Sequence, residues 1–187
     1  MNLYYLLLLT TLCLISGIPK PTNDTVQLTK EELKLYNLIT AYRAQHGLKP
    51  IPLSACLTQV AHWHVQDLET NHPDSATGCN LHSWSGKGKW QSCCYTPDHA
   101  QKQCMWNKPR ELTAYTGNGF EIAAQSSEGI DASQALVLWQ GSTYHNDVLL
   151  NKGIYTQPWK AMGIGIYKNY SVVWFGHELD NNGAPGK

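Results

Sequence analysis

The sequence predicts a single α+β domain, and three observations carry that prediction. Two amphipathic helices occupy the first third of the chain, strands with alternating apolar residues occupy the last third, and a cysteine-rich region lies between them. The 187 residues are enough to bury one hydrophobic core. The net charge is zero and the basic residues are scattered, so the chain lacks the positive patch of nucleic-acid-binding proteins.

The N-terminal region has the pattern of an export signal. Residues 3–18 are apolar and stop at Pro19-Lys20-Pro21, which predicts a signal peptide over residues 1–17. This run is shorter than the roughly 20 apolar residues that a membrane-spanning helix needs, and we expect no later segment to span a bilayer. We therefore expect a secreted protein, extracellular or periplasmic, with a polar leader over residues 18–28.

Two helices follow the leader. Thr29 and Glu32 have the spacing of a capping box, which predicts a helix that ends near Gly47. A second helix is predicted over residues 54–69 from its apolar positions at helical spacing. His64 lies on the apolar stripe of this second helix, so it is expected to be a core or cleft-wall histidine.

The cysteines predict a region held by disulfide bonds. Five cysteines remain after the signal: Cys56, Cys79, Cys93, Cys94 and Cys104. In an exported chain these favour disulfides. Adjacent Cys93 and Cys94 are each expected to bridge a distant partner such as Cys79 or Cys104. Cys56, in an apolar helix pattern, is the expected free thiol, although a bridge from Cys56 with another thiol left free remains open.

A zinc site is the alternative for this region. Cys93, Cys94 and Cys104 could bind zinc together with His99, but their spacing matches no common zinc knuckle and the expected compartment is oxidising. Disulfides are therefore the favoured interpretation.

The second half of the chain predicts strands and one helix. Residues 111–116 and 120–125 have strand character and are separated by a turn at Gly117-Asn118-Gly119. Asp131 is the predicted N-cap of a short helix, and Gly141 is its predicted end.

The last regular element is a predicted hairpin. Apolar residues alternate over residues 162–176 around a turn at Lys168-Asn169. Gly163 and Gly165 within it indicate that a neighbouring element approaches the backbone closely. Residues 178–187 are predicted to form a flexible tail.

Glu121 is the residue that most needs an explanation. It lies between Phe120 and Ile122 in an apolar run, so folding would bury its carboxylate unless a cation or donor meets it. An imidazole is the expected partner. His82, and His145 just beyond the short helix, are the histidines that we expect in the same cleft.

Five blocks of the sequence carry a family resemblance. They are LITAYRAQHGLKPIPLS, an LxxVAxxH helix followed by a histidine, GFEIA, LWQGSTYH and MGIGIYKNYSVVWFG. In this order, over about residues 30–177, the chain resembles the CAP superfamily of cysteine-rich secretory, antigen 5 and pathogenesis-related proteins, especially its bacterial branch. The resemblance implies a three-layer α-β-α sandwich over residues 29–177, with an additional disulfide-held loop insertion at about residues 84–108.

The resemblance also implies a cleft formed by His82, Glu121 and His145, with Ser142 at the position of the family's second acidic residue. Two imidazoles and a carboxylate are a competent ligand set for Zn²⁺ or another divalent cation. The predicted function is a secreted binding or interaction module, rather than an enzyme, whose cleft holds a divalent cation or a small ligand. The alternative is a metal-dependent hydrolase of peptide or phosphoester bonds, with Glu121 as a possible catalytic group.

Two further hypotheses use neighbouring residues. Ser142, His145 and Glu121 could form a hydrolytic triad, although no strand-to-helix elbow surrounds the serine. Trp84, Trp90 and Trp106 in the insertion could form an aromatic surface for a glycan, a lipid or a protein, or could instead pack as a small satellite core.

Overall fold

The computed structural model describes residues 26–186. The predicted signal peptide, leader residues 18–25 and Lys187 lie outside this range. The described elements are α1 (Lys30–Gln45), α2 (Ala55–Asn71), α3 (Lys102–Trp106), α4 (Lys108–Leu112), β1 (Phe120–Gln125), α5 (Ala132–Gln140), α6 (Thr143–Leu149), β2 (Ala161–Tyr167) and β3 (Tyr170–Gly176). Over residues 26–186, no helix is both long and apolar enough to cross a membrane.

The three strands form one antiparallel sheet in the order β1-β3-β2. Because successive side chains of a strand point to opposite faces, each strand contributes to two cores. Ile122 and Val173 pack with α1, α5 and α6 on one face, whereas Ala123 and Val172 pack with α2 and the insertion on the other. The sheet is thus covered on both sides, which confirms the predicted α+β class and the three-layer sandwich.

Helix α2 lies directly on the backbone of β2. A Cβ atom at Gly163 would stand 2.0 Å from the carbonyl carbon of Leu57, and one at Gly165 would stand 2.6 Å from the carbonyl oxygen of Ala61. Neither position has room for a side chain. The close approach predicted from these two glycines is confirmed, and it fixes the height of α2 above the sheet.

The helix starts that the sequence predicts are also confirmed. The Thr29 hydroxyl accepts from the Glu32 amide while the Glu32 carboxylate accepts from the Thr29 amide, completing a capping box for α1. Asp131 and Gln134 form the same arrangement for α5. Glu32 additionally accepts from the Ile166 amide at 3.0 Å, and so ties the start of α1 to β2.

For residues 111–150 one prediction is wrong and one helix was not predicted. Residues 111–116 do not form a strand, because α4 includes Leu112 and the following residues are irregular. Pro109 lies in the first turn of α4, where its fixed φ favours a helix, and the Thr113 hydroxyl donates to the Pro109 carbonyl at 2.7 Å where the helix ends. The sequence also failed to indicate α6, which begins immediately after Ser142.

The C-terminal segment is docked on the domain, which differs from the flexible tail predicted for residues 178–187. The Asp180 carboxylate accepts from the Ser54 hydroxyl at 2.6 Å and from the Cys56 amide at 2.8 Å, at the start of α2. The Tyr115 hydroxyl donates to the Glu178 carbonyl at 2.7 Å. These partners are distant in sequence, so local composition did not reveal them.

The disulfides are Cys79–Cys94 and Cys93–Cys104, and Cys56 is a buried free thiol. This confirms that the adjacent cysteines pair with distant partners and that Cys56 is the residue left over. The alternative zinc site at Cys93, Cys94 and Cys104 is wrong, since sulfur in a disulfide supplies no thiolate to a metal.

Candidate functional site

Glu121 lies in β1 opposite Trp174 of β3, and its side chain faces α2 and the insertion. The carboxylate is fully buried, with 0% of the side chain exposed. Its strand position therefore directs a charge into the more aromatic of the two cores. Such a charge is tolerated only where it is paired and hydrogen-bonded.

The first partner of Glu121 is His64 of α2. His64 Nδ1 donates to Glu121 Oε1 at 2.5 Å, and His64 Nε2 donates to the Ser83 carbonyl at 3.0 Å. Both ring nitrogens face acceptors, and a neutral imidazole has only one N–H, so this geometry is that of an imidazolium. The fully buried contact between His64 and Glu121 is therefore an ion pair.

Trp84 of the insertion covers this ion pair. Its ring is stacked on the His64 ring with a centroid separation of 4.2 Å and an interplanar angle of 6°. A cation over an aromatic face is attracted by the ring quadrupole. Trp84 thus excludes water from His64 and also stabilises its positive charge.

The same contacts set the ionisation of Glu121. Burial by itself raises the pKa of this carboxyl group, but the charge of His64 and the hydrogen bonds from His64 and His82 outweigh burial, and the pKa lies below its ordinary value. Glu121 is accordingly a carboxylate at neutral pH.

The second partner of Glu121 is His82. Its Nδ1 donates to Glu121 Oε2 at 2.8 Å, and its backbone amide donates to Asn80 Oδ1 at 3.0 Å. The side chain is 19% exposed, and Nε2 has no hydrogen-bond partner within residues 26–186. Glu121 thus fixes the tautomer of His82 and leaves the lone pair of Nε2 available at the protein surface.

His145 lies in α6, near His82. Burial lowers the pKa of the His145 imidazole, and the neighbouring His82 would lower it further when protonated. His145 is therefore neutral at neutral pH, and its described contacts include no hydrogen bond to Glu121. Ser142 immediately precedes α6 and its side chain makes no capping hydrogen bond.

This arrangement brings only some of the predicted site residues together. Glu121 and His82 are in direct contact, and His145 is close enough to His82 for the two imidazoles to interact electrostatically. The described hydrogen bonds of Glu121 go to His64 and His82 and none goes to His145, so Glu121 does not orient His145. The geometry thus gives no support to the hydrolytic triad of Ser142, His145 and Glu121.

The same contacts limit how a metal ion would be held. Both Glu121 oxygens are already engaged, so the carboxylate fits the role of an outer group that orients a histidine ligand. Over residues 26–186, no group of three or more His, Cys, Asp or Glu side chains is arranged to hold a metal ion. The groups that remain free to bind one are the imidazoles of His82 and His145.

The tryptophans of the insertion do not form a shared exposed surface. Trp84 is 2% exposed and packs against His64, while Trp90 donates through its indole N–H to the Ser85 carbonyl at 2.9 Å. Trp106 is half-buried against Phe120. Trp84 is thus part of a small core beneath the insertion and not of an exposed aromatic surface.

Sequence reasoning missed the role of His64. Its position on the apolar stripe of α2 is indistinguishable from that of a core residue, and its partners come from a strand and a loop far along the chain. The available signal was Glu121 itself, because a buried carboxylate demands a cation.

The chain is similar to known proteins both in sequence and in fold. A model described as the cysteine-rich secretory protein family matches residues 36–175. An extracellular protein containing an SCP domain from Bacillus anthracis has a TM-score of 0.53 at 20% identity, covering 79% of this chain and 40% of that one. An outer surface protein from Borrelia burgdorferi has a TM-score of 0.53 at 20% identity, covering 81% and 96% respectively.

A cysteine-rich secretory protein from Staphylococcus aureus has a TM-score of 0.51 at 15% identity, covering 84% of this chain and 41% of that one. This chain therefore spans less than half the length of two of the three structures. At these identities the likeness concerns the fold alone. A comparison with curated protein sequences finds no significant match.

Proposed function

Because the chain belongs to the cysteine-rich secretory protein (CAP) family, we propose that it is a secreted binding module whose cleft, at His82 and His145, takes a divalent cation of the zinc type or a small polar ligand. Two disulfides and the apolar N-terminal run support secretion. Two of the structural neighbours are described as extracellular or outer-surface proteins.

The observation that carries the proposal is the hydrogen bond between His82 Nδ1 and Glu121 Oε2 at 2.8 Å. A histidine that binds a metal through one nitrogen commonly donates the other N–H to a carboxylate, which fixes the ring and raises its basicity. His82 has this arrangement, with Nε2 as the free nitrogen. His145 supplies a second neutral imidazole, and neutral imidazoles are the form that binds metals.

Binding is favoured over catalysis by the number of ligands. Catalytic zinc sites use three protein ligands and keep one position for water. Here two imidazoles are free, while Glu121 is committed to His64 and His82. An ion held by His82 and His145 would keep several positions for water or for donor atoms of an external ligand, and the chemistry it would supply is Lewis acidity.

Calorimetric titration of zinc chloride into the metal-stripped secreted protein tests the proposal. We expect one site, with binding abolished in His82→Ala and weakened at least tenfold in His145→Ala. His46→Ala is the matched control, because His46 is exposed at the end of α1 and should bind zinc like the unsubstituted protein. Absence of zinc binding, or unchanged binding in His82→Ala, would contradict the proposal that this cleft binds a divalent cation.

The hydrolase alternative has a separate readout. Zinc-loaded protein is incubated with fluorogenic peptides and with a phosphodiester, with and without a chelator. A binding module shows no turnover above that of the His82→Ala variant. Turnover that a chelator and Glu121→Gln both abolish would instead establish a metal-dependent hydrolase at this cleft.

A further inference from the structure

A second cavity, of about 630 Å³, lies beside the first turns of α2. It is open to solvent on one side and is lined by Ala55, Gln59 and Trp63 of α2, by the residues that follow α4, and by the C-terminal segment. Small-molecule sites have volumes of about 300–1,000 Å³, so this cavity is of ligand size. It shares no lining residue with the cleft at His82 and His145.

The C-terminal wall of the cavity is anchored at both ends. At one end the Asp180 carboxylate accepts from Ser54 and from the Cys56 amide. At the other end the Gly186 amide donates to the Val26 carbonyl at 2.8 Å, and the Leu28 amide donates to the Gly186 carbonyl at 3.1 Å. The wall is thus positioned by long-range hydrogen bonds, as a preformed site requires.

The lining carries no charge. Among the described residues that line the cavity there is no Asp, Glu, Lys, Arg or His. Cys56 is the only ionisable side chain there, and burial raises the pKa of its thiol, so it is neutral at pH 7. A charged ligand would lose part of its hydration in this cavity without a counter-charge among the lining residues, so a neutral ligand is favoured.

Three polar groups of the lining lack partners within residues 26–186. They are the carboxamide of Gln59, the indole N–H of Trp63 and Oδ1 of Asn182, whose Nδ2 donates to Cys56 Sγ at 3.1 Å. Together they offer both donors and acceptors. A hydroxyl group matches such a set, because each hydroxyl both donates and accepts.

The Trp63 ring adds an apolar face. The Lys89 ammonium lies 3.4 Å from its centroid, and the ring itself lines the cavity. A flat ring beside neutral donors and acceptors suits a molecule with both C–H faces and hydroxyl groups. We propose that this cavity binds a neutral carbohydrate of one or two sugar units, stacked on Trp63 and hydrogen-bonded by Gln59 and Asn182.

The test uses the ¹⁵N-labelled secreted protein and three neutral disaccharides: cellobiose, maltose and N,N′-diacetylchitobiose. Each is titrated to about 20 mM while the Trp63 indole and the side-chain amides of Gln59 and Asn182 are followed by NMR, a range that detects millimolar affinity. We expect at least one sugar to shift all three signals together. Gln59→Leu should weaken that binding about fivefold to tenfold, since it removes the hydrogen bonds and keeps the helix.

Gln66→Leu is the matched control, because Gln66 is an exposed residue of α2 outside the cavity. Its affinity should equal that of the unsubstituted protein. The proposal is overturned if no disaccharide shifts the three signals, or if Gln59→Leu binds as well as Gln66→Leu. Contacts between the Trp63 indole and residues preceding Val26 in the sugar-free protein would also overturn it, because the chain itself would then fill the cavity.

Discussion

The two faces of the sheet are both well buried, but by different chemistry. The face toward α1, α5 and α6 is closed by apolar side chains, among them Leu35, Ile39, Ile122, Val173 and Phe175. The face toward α2 and the insertion buries polar groups among aromatic rings, among them His64, Asp67, Lys108 and Glu121. Helix α1 also carries two buried charged residues, Glu32 and Arg43. The first face is thus closed mainly by apolar burial, whereas the second depends more on specific polar partners.

The insertion supplies many of those partners. The Asp67 carboxylate accepts from the Ser85 amide at 2.7 Å, and the Lys108 ammonium donates to the Gln91 carbonyl at 2.5 Å and to Glu111 at 2.7 Å. Burial lowers the pKa of Lys108, although the Glu111 carboxylate partly offsets this. The loop therefore supplies hydrogen-bond partners to the buried polar groups as well as covering them. Loss of one partner leaves a buried polar group without a hydrogen bond.

The largest effect is expected when the ion pair of the polar face is broken. Glu121→Gln leaves the His64 cation without a counter-charge, and such changes cost about 3–5 kcal/mol of unfolding free energy. Urea denaturation measures the loss. Glu128→Gln makes the same change at an exposed glutamate and should stay within about 0.5 kcal/mol of the unsubstituted protein. Equal stabilities of the two variants would contradict the buried ion pair.

A cavity made in the apolar face should lower the unfolding free energy by a similar amount, but this loss should not depend on pH. Leu35 is 0% exposed, and Leu35→Ala is expected to lower the unfolding free energy by about 2–5 kcal/mol. Unfolding measured at pH 4 and at pH 7 should show the same loss at both values. A loss that changes with pH would show that the two faces are not chemically distinct.

Removal of one disulfide tests how far the polar face relies on the loop. The Cys79–Cys94 bond closes a sequence separation of 15, and its loss in Cys79→Ser/Cys94→Ser should cost about 3 kcal/mol. Amide hydrogen exchange should rise at residues 80–95 and remain unchanged in α1. Unaltered exchange in the loop would mean that the polar contacts and the remaining Cys93–Cys104 bond are enough to hold it.

Part of the pH dependence of stability should come from Glu121 on the polar face. The pKa of Glu121 in the folded protein is lowered from the ordinary 4.5, so its stabilising effect is present above pH 4.5 and is lost as pH falls below that value. One such group adds a slope of at most about 1.4 kcal/mol per pH unit. Acid titration of stability should be shallower in Glu121→Gln, and an unchanged slope would assign the effect to other carboxylates.

The smallest effect is expected at the rim of the polar face. Asp180→Ala removes the acceptor for Ser54 and for the Cys56 amide, and the loss of such a cap costs about 1 kcal/mol. Asn181→Ala, at an exposed neighbouring position, is the control. Thermal unfolding distinguishes the two. Equal melting temperatures would show that the C-terminal segment is not held by Asp180.

The candidate site was predictable in part. The apolar neighbours of Glu121 indicated a buried carboxylate, and the family resemblance pointed to His82, which the structure places 2.8 Å from it. His64 was not identified, because a helical stripe gives the same pattern for a core residue and for a buried cation. Helix α6 was overlooked because Gly141 indicated only the end of α5, whereas a second helix begins two residues later, at Thr143.

The sequence by itself determined the features that depend on neighbouring residues: the capping boxes of α1 and α5, the β2–β3 hairpin and the need of Glu121 for a partner. Tertiary structure decided which residues, distant in sequence, become the hydrogen-bond partners of the buried polar groups. His64 meets Glu121 across 57 residues and Asp180 meets Cys56 across 124. Capping and periodicity act within a few residues, whereas buried charges are satisfied by whichever donors the packing of distant elements brings within hydrogen-bond distance.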